Sequence, residues 1–262
     1  MNDSRPIGVF DSGIGGLSVW KEIVRILPHE SIIYYADIKN CPYGHHNHDT
    51  IIQFSRQIVD FFIAKNVKII VVACNTATAA AIDFLRDNYS IPFIGMEPAV
   101  KPASLNSKTK SIAVLATQGT FNGKLYKETS KKYAKDVELN VTLGNNLVNI
   151  VEKGLINDPS TQDYLAQIVK PLIDKNIDHL VLGCTHFPFL IPVLQKVLPQ
   201  NVKLIDPAPA VAKQSKRILA RNQLLNSSID KPTYEFYSTG DSTILANVLK
   251  EILGYTAKVQ KI

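Results

Sequence analysis

The chain has 262 residues, 45% of them hydrophobic and 20% charged, which is enough to bury a sizeable core as one large domain or two small ones. No segment is poor enough in apolar residues to read as disordered, and the longest apolar stretch, Val67–Ala73 interrupted by Lys68, falls far short of a membrane span. A formal charge of +6 and a pI near 9.1 would suit an anionic partner, but the lysines are scattered and the densest run, KETSKKYAK at 127–135, reads as a solvated helix face, which argues against nucleic-acid binding.

The first residues, MNDSRPIGVF, contain no basic segment followed by a long apolar run, so a cytoplasmic location is expected rather than secretion. Ile7–Phe10 reads as a buried strand, then a Gly-rich turn and a helix from Leu17 to Leu27. A strand at Ser31–Ala36 precedes a helix at Asp49–Lys65, a continuous apolar strand at Lys68–Ala73, an Ala-rich helix at Ala77–Asn88 and a strand at Ile91–Gly95. The stretch Glu97–Ser107 is Pro-rich and reads as a crossing. The pattern then restarts: strand Ile112–Ala116, a Thr/Gly turn, helix Gly123–Tyr133, strand Glu138–Leu143, helix Asp163–Asn176, strand His179–Gly183, helix Phe187–Val197 and short strand Lys203–Ile205. A second Pro-rich crossing at Asp206–Pro209 leads to a helix at Val211–Leu219, a strand at Tyr234–Tyr237 and a helix at Ile244–Leu253.

Apolar strands alternating with amphipathic helices predict α/β architecture with open, mostly parallel sheets covered on both faces. The halves match in order: IGVFDSGIGG (7–16) with IAVLATQGT (112–120), and IIVVACNTATA (69–79) with HLVLGCTHFPF (179–189). This reads as an internal duplication, two similar α/β domains related by a pseudo-two-fold, with a cleft between equivalent strand ends. The boundaries expected are 1–98 plus 208–262 for a discontinuous first domain and 99–207 for the second. Ligands of open α/β sheets bind at the C-terminal strand ends, so the site is expected in that cleft.

There are three cysteines, Cys41, Cys74 and Cys184. In a reducing compartment they are either inert core residues or reactive groups. Cys74 in ACNT (73–76) and Cys184 in GCTH (183–186) end equivalent strands, and each precedes hydrogen-bonding residues at a predicted helix start, where free N–H groups lower a thiol pKa and receive a carboxylate. Disulfide exchange would favour C-x-x-C, which is absent. Zinc takes about four ligands, and two cysteines with one nearby histidine are too few. Proton transfer at a carbon stereocentre does need an acid on one face and a base on the other, and two opposed thiols supply both.

Around them, the DSGIGGL turn (11–17) lacks the spacing of a dinucleotide fingerprint. Its Asp11 either assists a thiol or caps the following helix. His186 either tunes Cys184 or caps the next helix. Glu152 in VNIVEKG reads, on its own, as a helix C-terminal residue. The PYG turn (42–44) offers a phenol and backbone N–H groups. The HHNH tract (45–48) reads as solvated rather than metal-binding, and Cys41 as a bystander.

FDSGIGGL, PYG, ACNTATA, EPAVKPA, VLATQGT, VEKG, LGCTHFPFL and TGD, in order over roughly 6–253, together resemble the glutamate racemases of the aspartate/glutamate racemase family. The resemblance implies interconversion of L- and D-glutamate with no cofactor and no metal, supplying D-glutamate for the bacterial cell wall. It implies that Cys74 abstracts the α-proton of D-glutamate with help from Asp11, and that Cys184 abstracts that of L-glutamate with help from Glu152 and His186. It implies further that Asp11, Ser12, Tyr43, Gly44, Asn75, Thr76, Thr117, Thr120, Thr185 and His186 surround the substrate, that the second domain is inserted in the first, and that the protein is a homodimer. CPYGHHNH and DPAPAVA depart from the commonest family pattern. An aspartate racemase of the same superfamily and a non-catalytic small-anion-binding module are the alternatives. A pure binder has no need of cysteine at both strand ends, since serine or threonine would hold a carboxylate as well.

Overall fold

A computed structural model describes residues 3–228, 230–251 and 253–262; Ile252, in the predicted 244–253 helix, lies outside the described residues, as do Met1, Asn2 and Ile229 of the expected first domain. In chain order the elements are β1 (Ile7–Asp11), α1 (Leu17–Ile26), β2 (Ile32–Ala36), α2 (His48–Ala64), β3 (Ile69–Val72), α3 (Asn75–Asn88), β4 (Phe93–Gly95) and α4 (Val100–Asn106). There follow β5 (Ser111–Ala116), α5 (Gln118–Asn122), α6 (Lys124–Tyr133), β6 (Glu138–Leu143), α7 (Leu147–Glu152), α8 (Pro159–Ile173) and β7 (His179–Gly183). The last are α9 (Ile191–Val197), β8 (Lys203–Ile205), α10 (Ala208–Arg221), β9 (Tyr234–Ser238), α11 (Ser242–Glu251) and β10 (Val259–Lys261). Among the described residues no helix is long and apolar enough to cross a membrane.

The strands form two sheets with parallel pairing. One has the order β10-β9-β2-β1-β3-β4 and the other β6-β5-β7-β8. The order 2-1-3-4 recurs as 6-5-7-8, so the duplication read in the sequence is present in the topology. Equivalent ladders agree as well. Ile7–Phe10 of β1 pair with Ile69–Val72 of β3, and Ile112–Ala116 of β5 with His179–Gly183 of β7. That register sets the residue after β3 beside the end of β1, and the residue after β7 beside the end of β5.

β1, β2, β3, β5 and β7 are buried along their whole length, as expected for parallel strands covered on both faces. A large apolar cluster runs from Ile7, Val9, Ile14 and Leu17 into Leu115, Leu180, Leu182 and Phe187, so the two sheets share a core. The C-terminal strands rejoin the first sheet by pairing of β9 with β2, and Trp20 of α1 packs there with its ring 5.4–5.5 Å from those of Tyr234, Phe236 and Tyr255.

Several elements differ from the sequence reading. The stretch 97–107, expected as a crossing, contains α4; Pro102 sits in its first turn, where its missing N–H has no intrahelical partner to lose. The Thr/Gly turn after β5 is the short helix α5. The helix expected at 163–176 is α8, because Asp158 accepts a hydrogen bond from Ser160 N–H at 2.9 Å and Pro159 opens the helix; at the other end Asn176 turns left-handed, with φ of 53°. The helix expected at 187–197 breaks into a 3-10 turn (Phe187–Leu190) and α9, with a proline near each start. β10 has no counterpart in the sequence reading.

Lys68, which interrupts the apolar run, does not reach solvent. Its side chain is fully buried, its Nζ lies 2.6 Å from Glu30 Oε2, and it donates to the Asp3 carbonyl at 2.6 Å. Glu30 Oε1 in turn accepts from Asn226 N–H at 2.8 Å. The pair ties the chain before β1 and the segment before β9 to β3. Removing one partner strands the other charge, so Lys68→Met should cost about 3–5 kcal/mol in urea unfolding, and Glu30→Gln on the Lys68→Met background should recover part of it.

Candidate active site

The expected residues converge where the C-terminal ends of the two sheets face one another. A cavity of about 10 Å³ is lined by Ser12, Tyr43, Gly44, Cys74, Asn75, Thr76, Thr117, Cys184, Thr185 and His186, with Pro42 and Val148 closing its apolar part. That is room for about one water molecule. An amino acid needs more room than this cavity offers.

Cys74 follows β3 and is the N-cap of α3. Its sulfur accepts a hydrogen bond from Ala77 N–H at 3.4 Å and donates to Ser12 Oγ at 3.8 Å. Ser12 Oγ in turn donates to Asp11 Oδ1 at 3.4 Å. The carboxylate of Asp11 is buried behind Ser12 and does not line the cavity. Its Oδ1 also accepts from Gly13 N–H at 2.8 Å and its Oδ2 from Thr185 Oγ at 2.8 Å. Burial raises the Asp11 pKa to about 6, moderated by the charge of His186 and by these hydrogen bonds. Burial, together with the nearby Asp11, also pushes the Cys74 thiol well above its ordinary value. A buried thiol joined through one hydroxyl to a carboxylate poised near neutrality is a proton relay.

Cys184 follows β7. His186 Nδ1 lies 3.7 Å from its sulfur, and His186 Nε2 lies 2.6 Å from Glu152 Oε1. Burial opposes charge on the imidazole, but its hydrogen bonds to Cys184, Cys41 and Glu152 outweigh that and hold its pKa well above the usual histidine value. Glu152 is the last residue of α7, so the plain reading of its sequence position holds, yet its carboxylate also faces the site. The same Oε1 accepts from Ile14 N–H at 2.8 Å.

That contact explains the glycines of DSGIGGL. A Cβ at Gly13 would lie 1.9 Å from Glu152 Oε1, and one at Gly15 would lie 2.4 Å from His186 Nδ1. The turn is bare so that the acid/base pair of the other half can press against it.

Three expectations are modified. The Tyr43 phenol is not free for a ligand: it donates to Asp37 Oδ2 at 2.6 Å, and Asp37 also accepts from Thr239 Oγ at 2.8 Å and from Asn40. Thr120 does not line the cavity; it backs Thr117, Oγ to Oγ at 3.1 Å, and Thr117 meets Thr76 of the other half at 3.0 Å. Cys41 is no bystander. Its sulfur lies 3.6 Å from Glu152 Oε1, and burial raises its pKa to about 11. Asp37 and Cys41 carry no sequence signal of their own, since each acquires its role through residues distant in the chain. In the HHNH tract, Asn47 caps α2 through Thr50 N–H at 2.9 Å and His46 packs edge-on against Tyr43 and Phe54. Among the described residues only Cys41, Glu152 and His186 gather as potential metal ligands, with their donor atoms all within 4.8 Å.

Comparison with known proteins places the chain in a family. The profile of the Asp/Glu/Hydantoin racemase family matches residues 7–215. A glutamate racemase of Herpetosiphon aurantiacus is 43% identical over 244 residues, 93% of this chain and 96% of that protein. The crystal structure of a glutamate racemase isoform from Bacillus anthracis superposes with a TM-score of 0.91 at 33% identity, covering 100% of this chain and 98% of that one. The glutamate racemase of Francisella tularensis, solved in complex with D-glutamate, gives a TM-score of 0.86 at 34% identity over 99% of this chain and 98% of that one. The chain belongs to the aspartate/glutamate racemase family and is an amino-acid racemase, an isomerase.

Proposed function

We propose that the protein interconverts L- and D-glutamate by a two-base reaction in which Cys74 and Cys184 exchange the α-proton on opposite faces of the substrate. The observation that carries this reading is the pair of thiols at equivalent ends of duplicated strands, lining one cavity, each backed by its own proton relay. Glutamate rather than aspartate is supported by the names of the relatives that match along nearly the whole chain. The resemblance supports a role in supplying D-glutamate for peptidoglycan, in the cytoplasm, by a homodimer whose two domains are 1–98 plus 208–262 and 99–207.

With D-glutamate bound, the Cys74 thiol first loses its proton through Ser12 to Asp11. The thiolate then takes the α-proton, and Cys184 delivers a proton to the opposite face. His186, held cationic against Glu152, stabilises the negative charge left on the Cys184 sulfur and restores its proton. With L-glutamate the roles exchange. The free N–H groups at the start of α3 and the hydroxyl of Thr76 suit the substrate carboxylates. Asn75 Oδ1, buried and with no partner among the described residues, suits the ammonium group. In this scheme the two thiols supply the acid and the base.

Cys74→Ala and Cys184→Ala should each lower racemisation by at least about a hundredfold, the low end for removing a positioned acid or base, with unchanged circular dichroism. Full turnover in either variant would remove the two-thiol assignment. His186→Asn should slow α-proton abstraction from L-glutamate more than from D-glutamate, whereas equal losses would leave the histidine a binding role only.

Asp11 sets an acid limit. Its pKa is raised above the ordinary 3.8 to about 6 in surroundings that include Cys74, Cys41, His186, Glu152, Tyr34 and Tyr43. It is therefore protonated between about pH 4 and 6, where a solvent-exposed aspartate is ionised, and it loses its capacity to accept the Cys74 proton as pH falls through about 6. The kcat/KM for D-glutamate should fall along that limb, and Asp11→Asn should depress the plateau and erase the limb. The linked stability effect has the opposite sense: the neutral buried carboxyl favours the folded state below about pH 4, and that contribution disappears as pH rises through about 6.

A further inference from the structure

We propose that Cys41, Glu152 and His186 form an inhibitory binding site for a thiophilic divalent cation such as Zn²⁺, distinct from any requirement of the reaction. The proposal stands on the placement of three donor atoms and is independent of which amino acid the protein racemises. The three residues come from the loop after β2, the end of α7 and the turn after β7, and their ligand atoms lie within 4.8 Å of one another. Thiolate, carboxylate and imidazole form a donor set that favours zinc over magnesium or calcium.

One of the ligand spacings already matches what a tetrahedral ion imposes, and a second requires a small opening. With zinc bonds of about 2.0–2.3 Å, sulfur and oxygen ligands stand about 3.5 Å apart and nitrogen and oxygen ligands about 3.3 Å. Cys41 Sγ and Glu152 Oε1 already stand 3.6 Å apart, while His186 Nε2 and Glu152 Oε1, at 2.6 Å, must open by about 0.7 Å as the ion replaces the proton between them. Cys41 and Glu152 are partly exposed and His186 is buried, so the ion approaches from the Cys41–Glu152 side. Cys184 lies against Nδ1, the other ring nitrogen, and is not needed as a ligand. Three protein ligands leave a fourth position for water.

Binding displaces two protons to solvent, one from the Cys41 thiol and one from His186 Nε2. Because Glu152 and His186 are the relay behind Cys184, an ion there removes the proton supply of that half of the site.

The test uses the intact, reduced protein. Zinc alone should bind at one equivalent per chain in equilibrium dialysis, stop racemisation at that stoichiometry, and be reversed by a chelator. Magnesium should do neither. Cobalt in its place should give a thiolate-to-cobalt charge-transfer band. In the unmodified protein, zinc should slow alkylation of Cys41, followed by peptide mass spectrometry, by about tenfold or more. Cys41→Ala should lose the band and raise the zinc needed for half-occupancy by about tenfold or more, a minimum for loss of a direct ligand. Cys74→Ala should retain both band and affinity. Absence of Cys41 protection in the unmodified protein would overturn the proposal even if the Cys41 variant failed to fold. A charge-transfer band that survives Cys41→Ala and disappears in Cys184→Ala would also overturn it, placing the ion on the catalytic thiols. If the protein binds zinc as described but racemises neither enantiomer of glutamate, the functional reading fails and the metal site stands.

Discussion

The hydrogen bond from Thr185 Oγ to Asp11 Oδ2 joins the two halves of the site, and the rest of the arrangement depends on contacts of its kind. Asp11 ends a strand of the first sheet, and Thr185 follows a strand of the second. Ile14 N–H reaches Glu152, Ser18 Oγ donates to the Thr185 carbonyl at 3.1 Å, and Thr76 meets Thr117. In each case a polar group at the strand end of one sheet is satisfied by the other. Buried polar groups left unpaired are costly, so these contacts hold the two halves together. Burial between them raises the pKa of Asp11 toward neutrality and strengthens the interaction of His186 with the second sulfur.

The duplication explains why two thiols face one another, but the two half-sites are not copies. Cys74 caps a helix of 14 residues and is backed by a serine and a carboxylate, whereas Cys184 precedes only a short 3-10 turn and is backed by an imidazole and a carboxylate. The strand ends repeat because the sheet order repeats. The relays differ because they are drawn from different elements, a strand end and the turn after it on one side, a helix end and a turn on the other. In the proposed reaction the two directions start from chemically different bases, so single substitutions should change kcat and KM for the two enantiomers to different extents.

Much of this was legible in the sequence. The period of apolar runs gave the parallel sheets, and the match of ACNT with GCTH placed both cysteines at equivalent strand ends. The remainder required three-dimensional contacts. Glu152 reads as the end of a helix, and it is one; only the fold brings it to Gly13 and His186. Cys41 has no sequence neighbour to mark it. Lys68 interrupts an apolar run as a solvent-facing residue would, but it is buried against Glu30, 38 positions earlier. The prolines at 188 and 192 marked a helix start, yet they split the segment into two turns of different pitch. In each case the deciding partner is remote in sequence, and no periodicity records it.

The proposed reaction is proton exchange at the substrate α-carbon through two protein thiols. The most direct test is to incubate the reduced protein, with chelator and without pyridoxal phosphate, in heavy water with L-glutamate and separately with L-aspartate. Optical rotation and α-deuterium are followed together. Loss of rotation with incorporation of solvent deuterium for glutamate alone is the predicted result. Absence of deuterium incorporation with either amino acid, on protein shown to be folded, would contradict it.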